Sequence, residues 1–200
     1  MKTTTVLALL GAALASAQQT TRSAPFHLKF TSANEGSAET YLSTCHSGAG
    51  ESGICPESSN APAHTQYYLN QTAQEFEGKT LGLLTWELPI GNGNPISTSL
   101  GLVPQLVSNG AIPIFSPGDR GLWNFGFDED DKLFLFTRQD DSKAVPETVT
   151  YTEEAYYRWH ICWTFVGNYY YNALVWVTAG APSNPTCTPV DVIREFIPSS

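Results

Sequence analysis

Residues 158–177 read RWHICWTFVGNYYYNALVWV, and this stretch decides the fold class of the chain. Two β-prone runs flank the dipeptide Gly167-Asn168, and a tight turn of this kind uses the positive φ angles that Gly and Asn tolerate. The stretch therefore predicts a long β-hairpin. Tyr169, Tyr170 and Tyr171 open its second strand, where alternate rings must face opposite sides. One set is expected in the core, and the other is a candidate surface for stacking on sugars.

The rest of the chain repeats short aromatic and β-branched runs bounded by Gly, Pro, Asn or Asp. PFHLKFTS at 25–32 alternates cleanly, and NFGFDEDDKLFLF at 124–136 places the acidic cluster Asp128–Asp131 at the exposed tip of a second hairpin. Roughly nine or ten strands at this spacing predict an all-β, disulfide-stapled, two-sheet antiparallel sandwich resembling a jelly roll. Its predicted core includes Phe26, Leu28, Trp86, Leu88, Trp163 and Trp176.

The N-terminal segment MKTTTVLALLGAALASAQQ predicts export from the cell. Lys2 is followed by an apolar run from Val6 to Leu14 and then by the small residues Ala15-Ser16-Ala17, the order found in secretory signal peptides. The run is shorter than the roughly 20 residues that span a bilayer. We expect residues 1–17 to be a signal peptide, 18–24 a short polar linker and 25–200 a single domain of a secreted, extracellular protein.

The composition narrows the possible partners. Ten Lys and Arg residues stand against 19 Asp and Glu residues, for a formal charge of −9, and the basic residues are not clustered. Nucleic acids and anionic membrane surfaces repel such a protein, so neither is an expected partner. Charged residues make up 14% of the chain and aromatic residues 12%, which is typical of a folded domain.

The stretch TCHSGAGESGICP at 44–56 is open to three interpretations, a thiol–imidazole site, half of a metal site and a disulfide-closed loop. Four cysteines in an exported chain predict two disulfides, with three possible connectivities. Proximity in sequence favours Cys45–Cys55 and Cys162–Cys187. A Cys45–His46 nucleophile is disfavoured, because adjacent residues of a strand point to opposite faces.

Other candidate sites in the sequence are sparse. His27, His46, His64 and His160 lack the spacing of a metal site, and Asp128, Asp130 and Asp131 lack the full calcium-loop pattern, so we expect no metal and no cofactor. Asn70-Gln71-Thr72 is a glycosylation sequon and predicts a surface loop that carries a glycan.

A glycoside hydrolase remains an alternative function. Such an enzyme needs two carboxylates, and Glu87 in LTWELPI is the best single candidate, with its second carboxylate unidentified. The sequence favours instead a noncatalytic protein whose candidate ligand is a carbohydrate or a cell-wall or host surface.

Several motifs carry a resemblance to a known family. They are APFHLKF, CHSGAG, YYLN, LTWELP, SNGAIPIFSPG, FGFDEDDKLFLF, the hairpin at 158–177 and NPTCTPVDV. In this order the chain resembles a family of small secreted proteins of filamentous fungi known as a domain of unknown function. The resemblance implies a single β-rich secreted fold with Cys162 and Cys187 in its C-terminal signature. It implies no established catalytic residues.

Overall fold

The computed structural model of the chain describes residues 20–32, 39–57, 64–91, 93–140, 144–148 and 151–198. The predicted signal peptide lies outside these residues. Within them the chain forms fourteen β-strands and no helix. The strands are β1 (Thr21–Arg22), β2 (Phe26–Ser32), β3 (Thr40–Gly48), β4 (Glu51–Pro56), β5 (Tyr67–Phe76), β6 (Lys79–Leu88), β7 (Ile96–Pro104), β8 (Gly110–Pro117), β9 (Phe125–Phe127), β10 (Leu133–Thr137), β11 (Glu154–Tyr156), β12 (Trp159–Val166), β13 (Tyr169–Val177) and β14 (Thr188–Phe196).

Eight strands close into an antiparallel barrel in the order β5, β2, β14, β12, β13, β8, β7, β6 and back to β5. The closure depends on β5, which pairs with β2 at Tyr67 opposite Phe26 and with β6 from Trp86 to Lys79. The all-β class is confirmed, but the two-sheet sandwich is wrong. Alternating sequences suit either architecture, and the barrel leaves no open edge in its ring of strands.

The remaining strands pack against this barrel. β1 lies within the segment predicted as a linker and pairs with β5. The β3–β4 hairpin crosses from β2 to β8. β9, β10 and β11 form a meander that joins β6 where Gly82 lies opposite Phe125. The acidic segment forms the tip between β9 and β10, as predicted, and it reaches β14, where the Arg194 amide donates to the Asp131 carbonyl oxygen at 2.9 Å.

The largest hydrophobic cluster joins residues of the barrel with residues of β9 and β10. Trp159 is fully buried in it, with its indole Nε1 donating to the Leu133 carbonyl oxygen at 2.8 Å and its ring centroid 4.8 Å from that of Trp176. This hydrogen bond satisfies the one polar atom of the largest buried side chain.

The predicted core is correct only in part. Phe26, Leu28 and Trp176 are buried as expected, whereas Trp86 and Leu88 are half-buried. Trp163 is 52% exposed, so its placement in the core is wrong.

Both disulfides have the predicted pairing, Cys45–Cys55 and Cys162–Cys187. The first joins β3 to β4, and the second joins β12 to the segment before β14. The four cysteines belong to a second hydrophobic cluster, together with Ile112 and Ile114 on β8, Val166 on β12 and Tyr171, Ala173 and Val175 on β13. Cys45 therefore carries no thiolate in this fold.

The predicted turn of the β12–β13 hairpin is confirmed. Gly167 and Asn168 separate Val166 from Tyr169, which lie opposite each other, and Gly167 has a φ of 61°. A Cβ atom at Gly167 would lie 2.1 Å from the Ser47 carbonyl oxygen, which also accepts a hydrogen bond from Asn168 Nδ2 at 3.2 Å. The turn thus docks on the β3–β4 hairpin at a position that only glycine fits.

Candidate functional site

One face of β12 passes from the core into solvent. Trp159 and Ile161 on this face pack in the main cluster, whereas Trp163 and Phe165, the next two residues on the same face, are exposed. On β13, Tyr170 lies opposite Phe165 and is exposed as well. Because side chains alternate between the two faces of a strand, these side chains share one face and are neighbours. They are exposed because they lie beyond the end of the hydrophobic core.

Trp163, Phe165 and Tyr170 form a contiguous group that we call the aromatic platform. The three side chains are 52%, 43% and 61% exposed, respectively. The rings of Trp163 and Tyr170 are nearly parallel, at 20°, with centroids 6.1 Å apart, and the Phe165 ring centroid is 5.1 Å from that of Tyr170. Exposed apolar patches of this kind mark interaction sites more often than scattered single residues do.

A groove of about 290 Å³ adjoins the platform. Its apolar lining is contributed by Phe30, Pro56, Ile161 and Val190, and its polar lining by Ser32, Asn172, Thr186 and Thr188. None of these lining residues is charged. Two of them connect the groove to the platform, because Asn172 lies opposite Trp163 and Thr186 Oγ1 accepts a hydrogen bond from the Trp163 amide at 3.0 Å.

The loop beside the groove is held by its own hydrogen bonds and by a disulfide. Asn184 Nδ2 donates to the Trp163 carbonyl oxygen at 3.0 Å, and Asn184 Oδ1 accepts from the Thr186 amide at 3.0 Å. The Cys162–Cys187 bridge ties the end of this loop to β12. The polar rim is therefore positioned before any ligand arrives, which lowers the entropic cost of binding.

The tyrosine run divides between two faces, as the alternation requires. Tyr170 joins the aromatic platform, whereas the Tyr171 hydroxyl donates to the His46 carbonyl oxygen at 3.0 Å on the opposite face. Tyr169 lies beside His46, with ring centroids 5.5 Å apart. Only one tyrosine of the three belongs to the platform.

Glu87 is engaged in an ion pair with Arg22. The Arg22 guanidinium binds its carboxylate at 2.7 Å and lies over the Tyr68 ring, 3.5 Å from the ring centroid. The arrangement fastens β1 to the barrel.

A carboxylate pair occurs elsewhere, at a position that the sequence reasoning missed. The Tyr156 hydroxyl lies 2.8 Å from Glu154 Oε2 and 3.1 Å from Asp140 Oδ2. The hydrogen bond to Glu154, together with burial and the bond to Asp140, raises the pKa of Tyr156 to about 12. Asp140 and Tyr156 line a cavity of about 340 Å³ together with Trp176 and Arg158. Asp140 follows β10 and Glu154 is the first residue of β11, 14 positions further along the chain, and no sequence motif links them.

The acidic tip shows how its carboxylates are used. Asp128 Oδ1 accepts from the amides of Asp130 and Lys132 at 3.0 and 2.8 Å, and Asp131 binds Arg194. Across the described ranges no group of three or more His, Cys, Asp or Glu side chains is placed to hold a metal ion.

Asn70 lies on β5, so its predicted location in a surface loop is wrong. Its Oδ1 atom is buried without a hydrogen-bond partner, and Thr72 is buried with its hydroxyl donating to the Leu81 carbonyl oxygen at 3.0 Å. The glycan on Asn70 stays a prediction.

The described part of the chain contains no helix of the length and apolarity that crossing a membrane requires. No curated protein and no solved structure matches the chain. A family model described as a domain of unknown function, DUF7907, matches residues 23–196, which include all the strands from β2 to β14. The chain therefore belongs to the DUF7907 family of domains of unknown function.

Proposed function

We propose that the protein is a secreted, noncatalytic domain that binds a neutral polysaccharide on the aromatic platform and the adjoining groove. The observation that carries the proposal is the exposure of Trp163 beside Phe165 and Tyr170 on a face that is otherwise core. A large ring left in solvent by a folded domain loses the free energy that its burial would contribute, about 1.5–3 kcal/mol for a large apolar side chain. Binding a ligand recovers part of it.

The chemistry of the platform suits a sugar. Flat aromatic rings present apolar area at low cost in conformational entropy, and the faces of a pyranose ring are lined with C–H groups. The adjoining groove offers the hydroxyls of Thr186 and Thr188 and the amide of Asn172, which pair with sugar hydroxyls. An extended chain of several sugar rings fits the platform and groove together.

The electrostatics favour an uncharged ligand. The groove is lined by uncharged residues, and the whole chain carries a formal charge of −9. An acidic polysaccharide would meet long-range repulsion without a local cation to offset it. A neutral glucan, mannan or chitin chain experiences no such repulsion.

Secretion is part of the proposal. Residues 1–17 have the order of charge, apolar run and small residues found in signal peptides, and two disulfides suit an oxidising compartment. N-terminal sequencing of protein from the culture medium should begin at Gln18 or its cyclised form. Recovery of a chain that still begins at Met1 contradicts this part of the proposal.

Binding is tested with four hexasaccharides, cellohexaose, laminarihexaose, chitohexaose and mannohexaose, by calorimetry and tryptophan fluorescence. We expect at least one to bind, and Trp163→Ala and Tyr170→Ala each to weaken binding about tenfold, the loss of one ring contact of ~1.4 kcal/mol.

Tyr151→Ala is the matched control, because Tyr151 is 69% exposed and does not belong to the platform or the groove. Its affinity should equal that of the wild type. Failure of the wild type to bind any of the four probes, or equal binding by Trp163→Ala, would overturn the proposal.

A polysaccharide hydrolase is a second candidate function. Asp140 and Glu154 are better candidates for its two catalytic carboxylates than Glu87. Their oxygens share the Tyr156 hydroxyl and so lie within about 6 Å of each other, near the spacing of retaining glycosidases. In this case the wild type releases reducing ends from one of the polymers and Glu154→Gln abolishes the release. Glu87→Gln, the control, retains it.

A further inference from the structure

Two of the four histidines, 37 positions apart in the chain, lie side by side in the fold. His27 is on β2 and His64 precedes β5, and their ring centroids are 5.2 Å apart with an angle of 74° between the rings. Tyr41 on β3 completes the group, stacked on His64 with centroids 3.7 Å apart. His27 is half-buried and His64 is exposed, so solvent reaches the pair.

The hydrogen bonds define the tautomer of each imidazole. His27 Nδ1 lies 2.9 Å from the Thr65 carbonyl oxygen, which only accepts, so Nδ1 carries the hydrogen. His64 Nδ1 binds Glu57 Oε2, and a carboxylate likewise accepts. In the neutral form of each ring, the lone pair is therefore on Nε2.

This arrangement is the usual environment of metal-binding histidines. Such residues donate the hydrogen of the non-coordinating ring nitrogen to a carboxylate or a backbone carbonyl, which orients the ring and raises its basicity. Here one histidine has each kind of partner. We propose that His27 and His64 bind a single Cu²⁺ or Zn²⁺ ion through their Nε2 atoms.

The separation of the rings fits one shared ion. A metal lies about 2.0–2.1 Å from a coordinating nitrogen, hence roughly 3.2 Å from the ring centroid, so two imidazoles at angles of about 90–110° have centroids roughly 4.5–5.3 Å apart. The observed 5.2 Å lies in this range. The spacing of the two rings is therefore compatible with a single shared ion.

The charges around the pair favour a cation. The Glu57 side chain is 8% exposed, and its Oε1 atom is buried without a hydrogen-bond partner among the described residues. Glu195 lies opposite His27, accepts from the Tyr41 hydroxyl at 2.7 Å and binds Lys29 at 3.0 Å.

Lys29 is the cation facing this group, and it also binds Glu39 at 2.7 Å. Glu57 and Glu195 contact the His27–His64–Tyr41 group directly, and Glu39 contacts Lys29. Three carboxylates thus stand against one ammonium group, an excess of negative charge that a divalent ion reduces.

Two imidazoles and no third ligand within the described ranges define an open site, with remaining positions for water or an external ligand. Imidazole nitrogens suit copper and zinc better than calcium or magnesium, and Cu²⁺ is bound more tightly than Zn²⁺ at a given nitrogen site. Protons compete with the metal for Nε2, so affinity falls as the pH is lowered.

The test titrates the secreted full-length mature protein with CuCl₂ and, separately, ZnCl₂ at pH 7.5, by calorimetry and, for copper, by pulsed EPR. We expect one Cu²⁺ ion per chain with the modulation pattern of two imidazoles, and weaker binding at pH 5.5. His27→Gln and His64→Gln should each lower copper affinity at least tenfold and leave one imidazole in the spectrum.

His46→Gln and His160→Gln are matched controls and should bind copper like the wild type. Glu57→Gln keeps both ligands and should lower the affinity about 10- to 100-fold, as removal of an orienting carboxylate does. His27→Gln keeps the His64–Glu57 pair, so it tests the site even where changes at His64 impair folding. A wild-type spectrum with one imidazole or none, or an equal loss of affinity in His46→Gln, would refute the shared site.

Discussion

The Arg194 guanidinium on β14 donates two hydrogen bonds to Asp131 Oδ1 at the tip of the β9–β10 hairpin, that from Nε measuring 3.0 Å. The same guanidinium lies over the rings of Phe127 and Phe196, with its central carbon 4.2 and 4.3 Å from their centroids. It thus connects the meander to the barrel by an ion pair and by stacking.

Replacing Arg194 should destabilise the protein through this connection. We expect Arg194→Met to lower the free energy of unfolding by about 2–3 kcal/mol, because it removes a partly buried ion pair and its ring contacts. Arg194→Lys should recover only part of the loss, since an ammonium group lacks the planar fork. Urea unfolding measures both. Lys79→Met is the control, because Lys79 pairs with the exposed Glu129 and its replacement should leave the free energy of unfolding nearly unchanged.

Replacing two glycines that share one backbone conformation distinguishes backbone strain from close packing. Gly167 and Gly180 have φ angles of 61° and 62°, but only Gly167 has an atom in the way of a Cβ, the Ser47 carbonyl oxygen. Gly180→Ala should cost about 1 kcal/mol, the penalty of a left-handed alanine. Gly167→Ala should cost at least about 1 kcal/mol more. Equal losses in urea unfolding would show that the turn does not press on Ser47.

Tyr156 should make stability depend on alkaline pH. Its hydrogen bond to Glu154 raises its pKa from 10.0 to about 12, so between these values the folded chain retains a proton that the unfolded chain has released. Its contribution is therefore complete below pH 10 and is lost as the pH rises toward 12. The free energy of unfolding of Tyr156→Phe should fall less steeply over this window than that of the wild type, as urea titrations at several pH values can measure. Parallel curves would contradict this origin of the shift.

The two disulfides should differ in their effect on binding. Cys162→Ser/Cys187→Ser and Cys45→Ser/Cys55→Ser should each cost roughly 2–5 kcal/mol of stability. Only the first pair frees the loop of Asn184 and Thr186 beside Trp163, so only it should weaken oligosaccharide binding once both variants are measured below their unfolding temperatures. An equal loss of oligosaccharide affinity in both variants would show that the Cys162–Cys187 disulfide has no specific role in holding the loop.

Local features were predictable from the sequence because their causes are local. Gly167-Asn168 marks a turn through the φ angles that it tolerates, and alternation places Trp163 and Phe165 on one face of a strand. The disulfide pairing followed from cysteines close in sequence within a chain predicted to be exported.

The closed barrel and the sites depend on contacts between distant parts of the chain. Alternation identifies the face of β12 but not the point where the core ends, so it predicted Trp163 as buried. The closure of the barrel requires β5 to pair with both β2 and β6, and an alternating strand permits a sandwich equally well. His27 and His64 become neighbours only when β2 and β5 pair, and Asp140 and Glu154 only when β10 and β11 pair. Side-chain chemistry at one position carries no information about which distant residue the fold will bring beside it.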